Sequence, residues 1–408
     1  MSRRSILVVT LACLALIALA LAPWTVTTTG LTAAVARQVR SVYGVDLTVR
    51  GRSTIAFLPV PRVKLEDVSL GYPGRPPLVE ASQLRGDFRV WPLLVGNVTF
   101  AEVSLHDARV KLDIDEDGAT EWANALGRQR DRIQGARTPS RHVRRLILSN
   151  AQIAVSDKQR GRDFRFHDVN LVANWPAVDG NLDITASGRW RGEIVQVSIS
   201  NLLPAALLAG KKDRFTVDAL VPAAGGTRLT LDLDAALADG LRGTGRATFT
   251  TKALRDLLHW SAVELPFGSL VNGAALAGEF TLDDNGVSLP AVQLTLGADR
   301  LDGALSARAD RGRLAITGTL AAERLDLANA PAPFGPLLSS GGYWSYDPLN
   351  LADMAGADLD LRISAATARV GPFRLDDLAA NLLVRPARIE IALGRATLNK
   401  GMVKGRLA

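Results

Sequence analysis

Four histidines, a scatter of carboxylates and one cysteine are the side chains of this sequence that could do chemistry, and their spacing assigns them none. His106, His142, His167 and His259 never fall at the H-x-x-x-H or H-E-x-x-H spacing that brings two imidazoles onto one helix face around zinc. His106 and His167 each precede an aspartate, Asp107 and Asp168, inside alternating runs. Consecutive strand residues point to opposite faces, so neither pair converges on one ion. Asp113, Asp115 and Asp117 open with the spacing of a calcium loop, but its later ligands are missing and the segment reads as a turn. No G-x-S-x-G elbow, phosphate loop or dinucleotide fingerprint follows a strand. Cys13 sits in an apolar run, which excludes a disulfide framework, a thiolate metal site and a cysteine nucleophile together. The chain reads as a non-enzyme with no metal and no cofactor.

Asp67, Asp168 and Asp377 recur at one place in a repeated unit, seen in Leu65–Leu70, Phe166–Leu171 and Leu375–Leu378. The expected role is structural: an aspartate satisfying backbone donors at a strand bend.

The elements around these residues are mostly short strands. Arg62–Gly71 brings Val63, Leu65 and Leu70 near one another with Asp67 between, and Leu84–Val90, Val98–Leu105 and Ala108–Ile114 follow as strands, the first of them alternating apolar and polar residues. Ala151–Ser156, Phe164–Val172, Glu193–Ser200, Arg228–Ala235 and Gly243–Thr250 continue the strand pattern. Turn residues about every ten positions make this an antiparallel β pattern, with one apolar and one polar face. Leu31–Tyr43 has helical spacing and reads as a cap on the first strands. Lys252–Val263 is the best internal helix, with Leu254, Leu257 and Leu258 on one side. A basic stretch, 128–145, has no apolar period and reads as a linker. Its Arg141, Arg144 and Arg145 are candidates for contact with lipid head groups.

At the N-terminus, Ile6–Ala22 carries no charge, follows Arg3 and Arg4, and ends at Pro23 and Trp24. A helix of that length, at about 1.5 Å per residue, is near the lower limit for crossing a hydrocarbon core of roughly 30 Å. Two readings fit: an uncleaved anchor, or a signal peptide cut after the small residues Ala18, Ala20 and Ala22. Both export the body. For an anchor, the basic residues keep the N-terminus in the cytoplasm. The net charge of +7 and pI near 9.8 suit an anionic lipid surface. With aromatics at 5%, there are no stacking platforms for bases, and nucleic acid is not an expected partner.

Four pieces then carry a resemblance: L-x-D-V-x-L at Leu65–Leu70, a strand entering W-P-L-L-x-G at Phe88–Gly96, V-x-L-x-D-A-x-V-x-L at Val103–Leu112, and D-x-D-G-x-x-x-W at Asp115–Trp122. Together with the preceding anchor and helix, they resemble the N-terminal region of the AsmA family. Leu294–Gly303, Leu320–Leu327 and the closing strands are similar to its C-terminal region. The resemblance implies a mainly β protein: an N-terminal transmembrane helix followed by an elongated, curled antiparallel sheet that forms a groove, with a few short helices. The organisation expected is an anchor at 1–24, an N-terminal β region at 25–127, the linker at 128–145, central β repeats at 146–251 and a C-terminal β region at 252–408.

That likeness also implies an inner-membrane protein with a periplasmic body that binds phospholipid and guides it toward the outer membrane. Candidate groove residues, chosen by alternation, are Val68, Leu70, Val103, Leu105, Val169, Leu171, Val197, Ile199, Leu229 and Leu231. A slip of one residue inverts the face, so alternation leaves open which face is the groove. The alternative function is a scaffold for outer-membrane protein assembly, engaging envelope proteins through an open sheet edge at Gly401–Leu407.

Overall fold

The computed structural model describes residues 25–27, 44–56, 61–72, 74–89, 100–114 and 143–158, along with helical positions between 32 and 40. It further describes 161–327 (without 178, 238–240, 269–270, 284–285 and 311–312) and 356–408 (without 372 and 387). The chain divides into two compact units, Met1–Trp190 and Arg191–Ala408. The apolar run Ile6–Ala22, Arg141, the W-P-L-L-x-G turn and Asp115–Trp122 lie outside the described residues. No helix among the described residues is long and apolar enough to cross a membrane.

In the first unit the strands are β1 (Thr25–Thr27), β2 (Asp46–Val49), β3 (Ser53–Ala56), β4 (Arg62–Gly71), β5 (Pro77–Phe88), β6 (Phe100–His106), β7 (Arg109–Ile114), β8 (Arg145–Asp157), β9 (Arg162–Asn174) and β10 (Leu182–Trp190). β3 and β2 pair with opposite ends of β4, which pairs with β5. β6 and β7 act as one kinked strand between β5 and β8, and β9 and β10 follow. The helical positions between 32 and 40 (α1) cap the apolar face, as the spacing predicts: Val35 and Val39 join the core around Leu65, which is 0% exposed.

The second unit holds β11 (Glu193–Leu202), α2 (Pro204–Leu208), β12 (Asp213–Val221), β13 (Thr227–Leu237), β14 (Leu241–Thr251) and α3 (Leu254–Ser261). It continues with β15 (Ala274–Asp283), β16 (Gly286–Leu296), β17 (Asp299–Asp310), β18 (Arg313–Asp326), β19 (Ala357–Val370), β20 (Phe373–Arg385), β21 (Arg388–Leu398) and β22 (Gly401–Leu407). Each strand from β11 to β22 pairs with the next in chain order. The short helix α2, which alternation does not reveal, presses Leu207 onto the apolar face.

The expectation of a purely antiparallel sheet is corrected at three pairings. β6 and β7 run parallel to β8, and β18 runs parallel to β19. Parallel neighbours need a long return connection. The chain supplies one between Ile114 and Arg145, where the basic stretch lies, and another between Asp326 and Ala357. The sheet is therefore mixed.

Aspartates of the repeat sit where the strand backbone turns left-handed. Asp67, Asp168 and Asp377 have φ of 50°, 51° and 53°, and Asp107 and Asn150 adopt the same left-handed backbone at 49° and 53°. Asp and Asn tolerate this region better than other side chains with a Cβ. Each left-handed residue turns the side-chain alternation over, so apolar residues at i and i+3 share a face. That is why Leu148 and Ala151 are both buried around Asn150, within the single strand β8.

Candidate functional site

Among the described residues no three potential metal ligands converge, and the apolar face itself is the candidate site. In the first unit it is continuous in register: Leu65, Leu84, Leu105, Leu148, Leu171 and Ala186 stand side by side from β4 to β10. Of the groove candidates here, Val68, Leu105 and Val169 are buried in this core, while Leu70, Val103 and Leu171 pack against it partly covered. α1 and the neighbouring strands have largely sealed the face.

In the second unit the same face buries Leu233, Ala247, Val292, Leu301 and Leu320, but one line across it stays open. Val197, Ala219, Leu229, Phe249, Leu276 and Leu294 align across β11 to β16, and every one remains half-exposed. A second line, two residues along each strand, runs Ile199, Val217, Leu231, Ala247, Gly278 and Val292, and continues through Gly303, Leu320, Ile363, Ala380 and Leu393. The candidates Val197, Ile199, Leu229 and Leu231 therefore share one face, and that face is apolar along its whole width. All the strands of this unit pair into one ladder, so among the described residues no second sheet closes over it. Alternation picks out these four but not their register neighbours Phe249, Leu276, Leu294 and Ile363. Those residues alternate too, but which strands stand beside which, and in what register, is not written in a single strand.

Small residues occupy the same face. A Cβ on Gly278 would lie 2.6 Å from the Ala291 carbonyl oxygen, and one on Gly303 would meet the Thr319 carbonyl and lie 3.0 Å from Leu320 Cα. Neighbouring backbones crowd together on this side, which marks it as the inside of the sheet's bend. A concave, half-covered, apolar surface results.

The opposite face is polar. A cleft of about 490 Å³ borders β17 to β21, where Asp302, Arg362 and Asn381 stand among a mostly apolar lining that includes Leu320, Ile363 and Ala380. Of the predicted head-group contacts, Arg145 stands in register with Glu102, 3.9 Å away, one residue out of step with Val103 and Leu146. It faces away from the apolar side and does not join the groove candidates. Arg144 donates its backbone N–H to the Ala101 carbonyl at the same strand end.

The left-handed residues carry a polar chain across the first unit's outer face. Asp107 accepts from Asn150 Nδ2 at 2.7 Å and from Ser82 Oγ at 2.9 Å. Asn170 accepts from the Asn150 N–H and donates to the Asp168 carbonyl, and Arg189 Nε donates to Asp168 Oδ2. Hydrogen bonds from Asn150 and then Ser82 hold the Asp107 carboxyl below its ordinary range. His106 and His167 form no metal cluster with these aspartates: among the described residues no three His, Cys, Asp or Glu side chains converge on a metal position.

Comparison with known proteins decides the family. Residues 1–215, just over half of the 408, match the AsmA family. The chain belongs to the AsmA family. No curated protein and no solved structure matches it. The family match takes in all of the first unit and the start of the second, and so includes Val197 and Ile199 among the AsmA-family residues. Leu229 and Leu231 lie beyond it, joined to them by strand pairing alone.

Proposed function

We propose that this AsmA-family chain binds and transfers phospholipid in the envelope of a bacterium with two membranes. Ile6–Ala22 holds it in the inner membrane, N-terminus in the cytoplasm and body in the periplasm, and its work maintains the outer membrane. The observation that carries this reading is the half-exposed line from Val197 to Leu294, one continuous apolar surface with no sheet across it among the described residues. An isolated apolar patch of this extent is costly in water, and a guest that covers it recovers the difference.

An acyl chain is the matching guest. Each methylene that leaves water contributes roughly 0.8 kcal/mol, and the concave side accommodates a flexible chain without any directional bond. The head group stays in solvent at the rim. No bond is made or broken in such binding. Native mass spectrometry of the detergent-purified full chain tests this: co-purifying phospholipid is expected, and a consistently empty protein overturns it.

A second reading, a scaffold for outer-membrane protein assembly, draws on β22. Among the described residues this strand pairs with β21 alone, and it leaves Met402 and Leu407 69% and 70% exposed. Such an edge offers backbone groups to an incoming strand.

A further inference from the structure

The connection from β14 to β15 folds back over the apolar face of the second unit. Its two ends are tied: the Leu254 N–H donates to the Asn272 carbonyl at 2.5 Å, and the Gly297 N–H to the Gly273 carbonyl at 2.8 Å. Between these ties α3 ends at Ala262 in the left-handed region, and the chain then presents Leu265 and Phe267 to the sheet. Phe267 itself has φ of 63°, a conformation an aromatic residue adopts only where its surroundings impose it. Leu265 and Phe267 pack with Leu359 and Val384, which are 5% and 0% exposed. One step along the same two strands, Leu361 and Leu382 are half-exposed, and one step further so are Ile363 and Ala380. The apolar surface is thus open at Leu361–Leu382 and Ile363–Ala380, between the buried pair Ala365 and Leu378 on one side and these two side chains on the other.

We propose that Leu265 and Phe267 delimit the trough and so set the length of aliphatic chain it accepts. This inference rests on the lipid-binding reading above and names its specificity-determining residues. The pair occupies hydrocarbon-lined space that a longer guest would otherwise fill. Removing the Phe267 ring opens room for further methylenes, and enlarging it takes room away.

The test uses the full chain in detergent, loaded from an equimolar mixture of dilauroyl, dimyristoyl, dipalmitoyl and distearoyl phosphatidylglycerol, with the bound species read by native mass spectrometry. Phe267→Ala is expected to shift the bound population toward the longer chains by about tenfold, the effect of two methylenes. Phe267→Trp is expected to shift it toward the shorter ones, and thermal melts identify any variant that does not fold. An unchanged chain-length distribution in a folded variant that does bind lipid overturns this inference and leaves the lipid reading standing. A wild-type chain that takes up none of the four overturns both.

Discussion

Leu65 and Val68 stand at positions i and i+3 of β4, yet both side chains enter the same core, where they are 0% and 2% exposed. In an unbroken strand they would face opposite ways. Asp67 makes the difference: its left-handed φ of 50° turns the side-chain alternation over, while β4 and β5 keep register across it, Glu66 opposite Gln83 and Val68 opposite Ala81.

Substitution at Asp67 should follow backbone preference rather than charge. Asp67→Gly, which adopts that conformation freely, is expected to leave stability nearly unchanged. Asp67→Val should cost about 1–2 kcal/mol, the usual penalty for a side chain forced into the left-handed region. Urea denaturation of the two variants separates these outcomes. Equal losses would show that the carboxylate, not the left-handed backbone, matters.

This left-handed residue marks the boundary of what could be read from sequence. Strands such as Glu193–Leu202 and Leu241–Thr251 nearly coincide with the alternating runs Glu193–Ser200 and Gly243–Thr250, because alternation is a property of one segment. Leu146–Leu148 and Ala151–Ser156 read as two strands only because Asn150 breaks the period inside β8. Val287–Leu289 and Val292–Leu296 likewise merge into β16 across a register shift beside Pro290. The parallel pairing of β18 with β19 depends on a partner distant in the chain, and nothing local encodes it. The same limit applies to the site. Val197 and Leu229 could be picked as apolar, but that they stand on one line with Leu294 is a property of the register.

Asp107 gives a pH dependence with a definite sign. Hydrogen bonds from Asn150 and Ser82 hold its folded-state carboxyl below the ordinary value of 3.8. A depressed carboxyl stabilises the fold above its unfolded-state value, and the contribution is lost as pH falls through the lower folded one. The wild-type melting temperature should therefore fall more steeply than that of Asp107→Asn as pH drops below about 4. Parallel melts between neutral and acidic pH decide it, and superimposable slopes would remove Asp107 from the account.

Glycine on the concave side should resist enlargement while glycine at the edge does not. In Gly303→Ala the new methyl meets the Thr319 carbonyl and lies 3.0 Å from Leu320 Cα, both of them backbone atoms held by the β17–β18 ladder. A loss of about 1–3 kcal/mol is expected from that overpacking. Gly405→Ala on β22 meets nothing within 4 Å and should be neutral. Comparable destabilisation at both sites would mean that strand propensity, not the bend, governs.

The decisive substitutions for function are those that charge the trough without unfolding it. Val197→Asp and Leu231→Asp put a carboxylate on the half-exposed apolar face, where water still reaches the side chain, so the strands should survive. An acyl chain covering that position would bury the new charge at a cost of several kcal/mol, more than the few methylenes nearby can return. Thr248→Asp, on the polar face of β14, introduces the same charge where no guest would lie. Bound phospholipid, counted by native mass spectrometry, should fall to background in the first two variants and stay at the wild-type level in the third, with outer-membrane integrity following the same order. Folded Val197→Asp and Leu231→Asp chains that still carry lipid would place the guest somewhere other than this face.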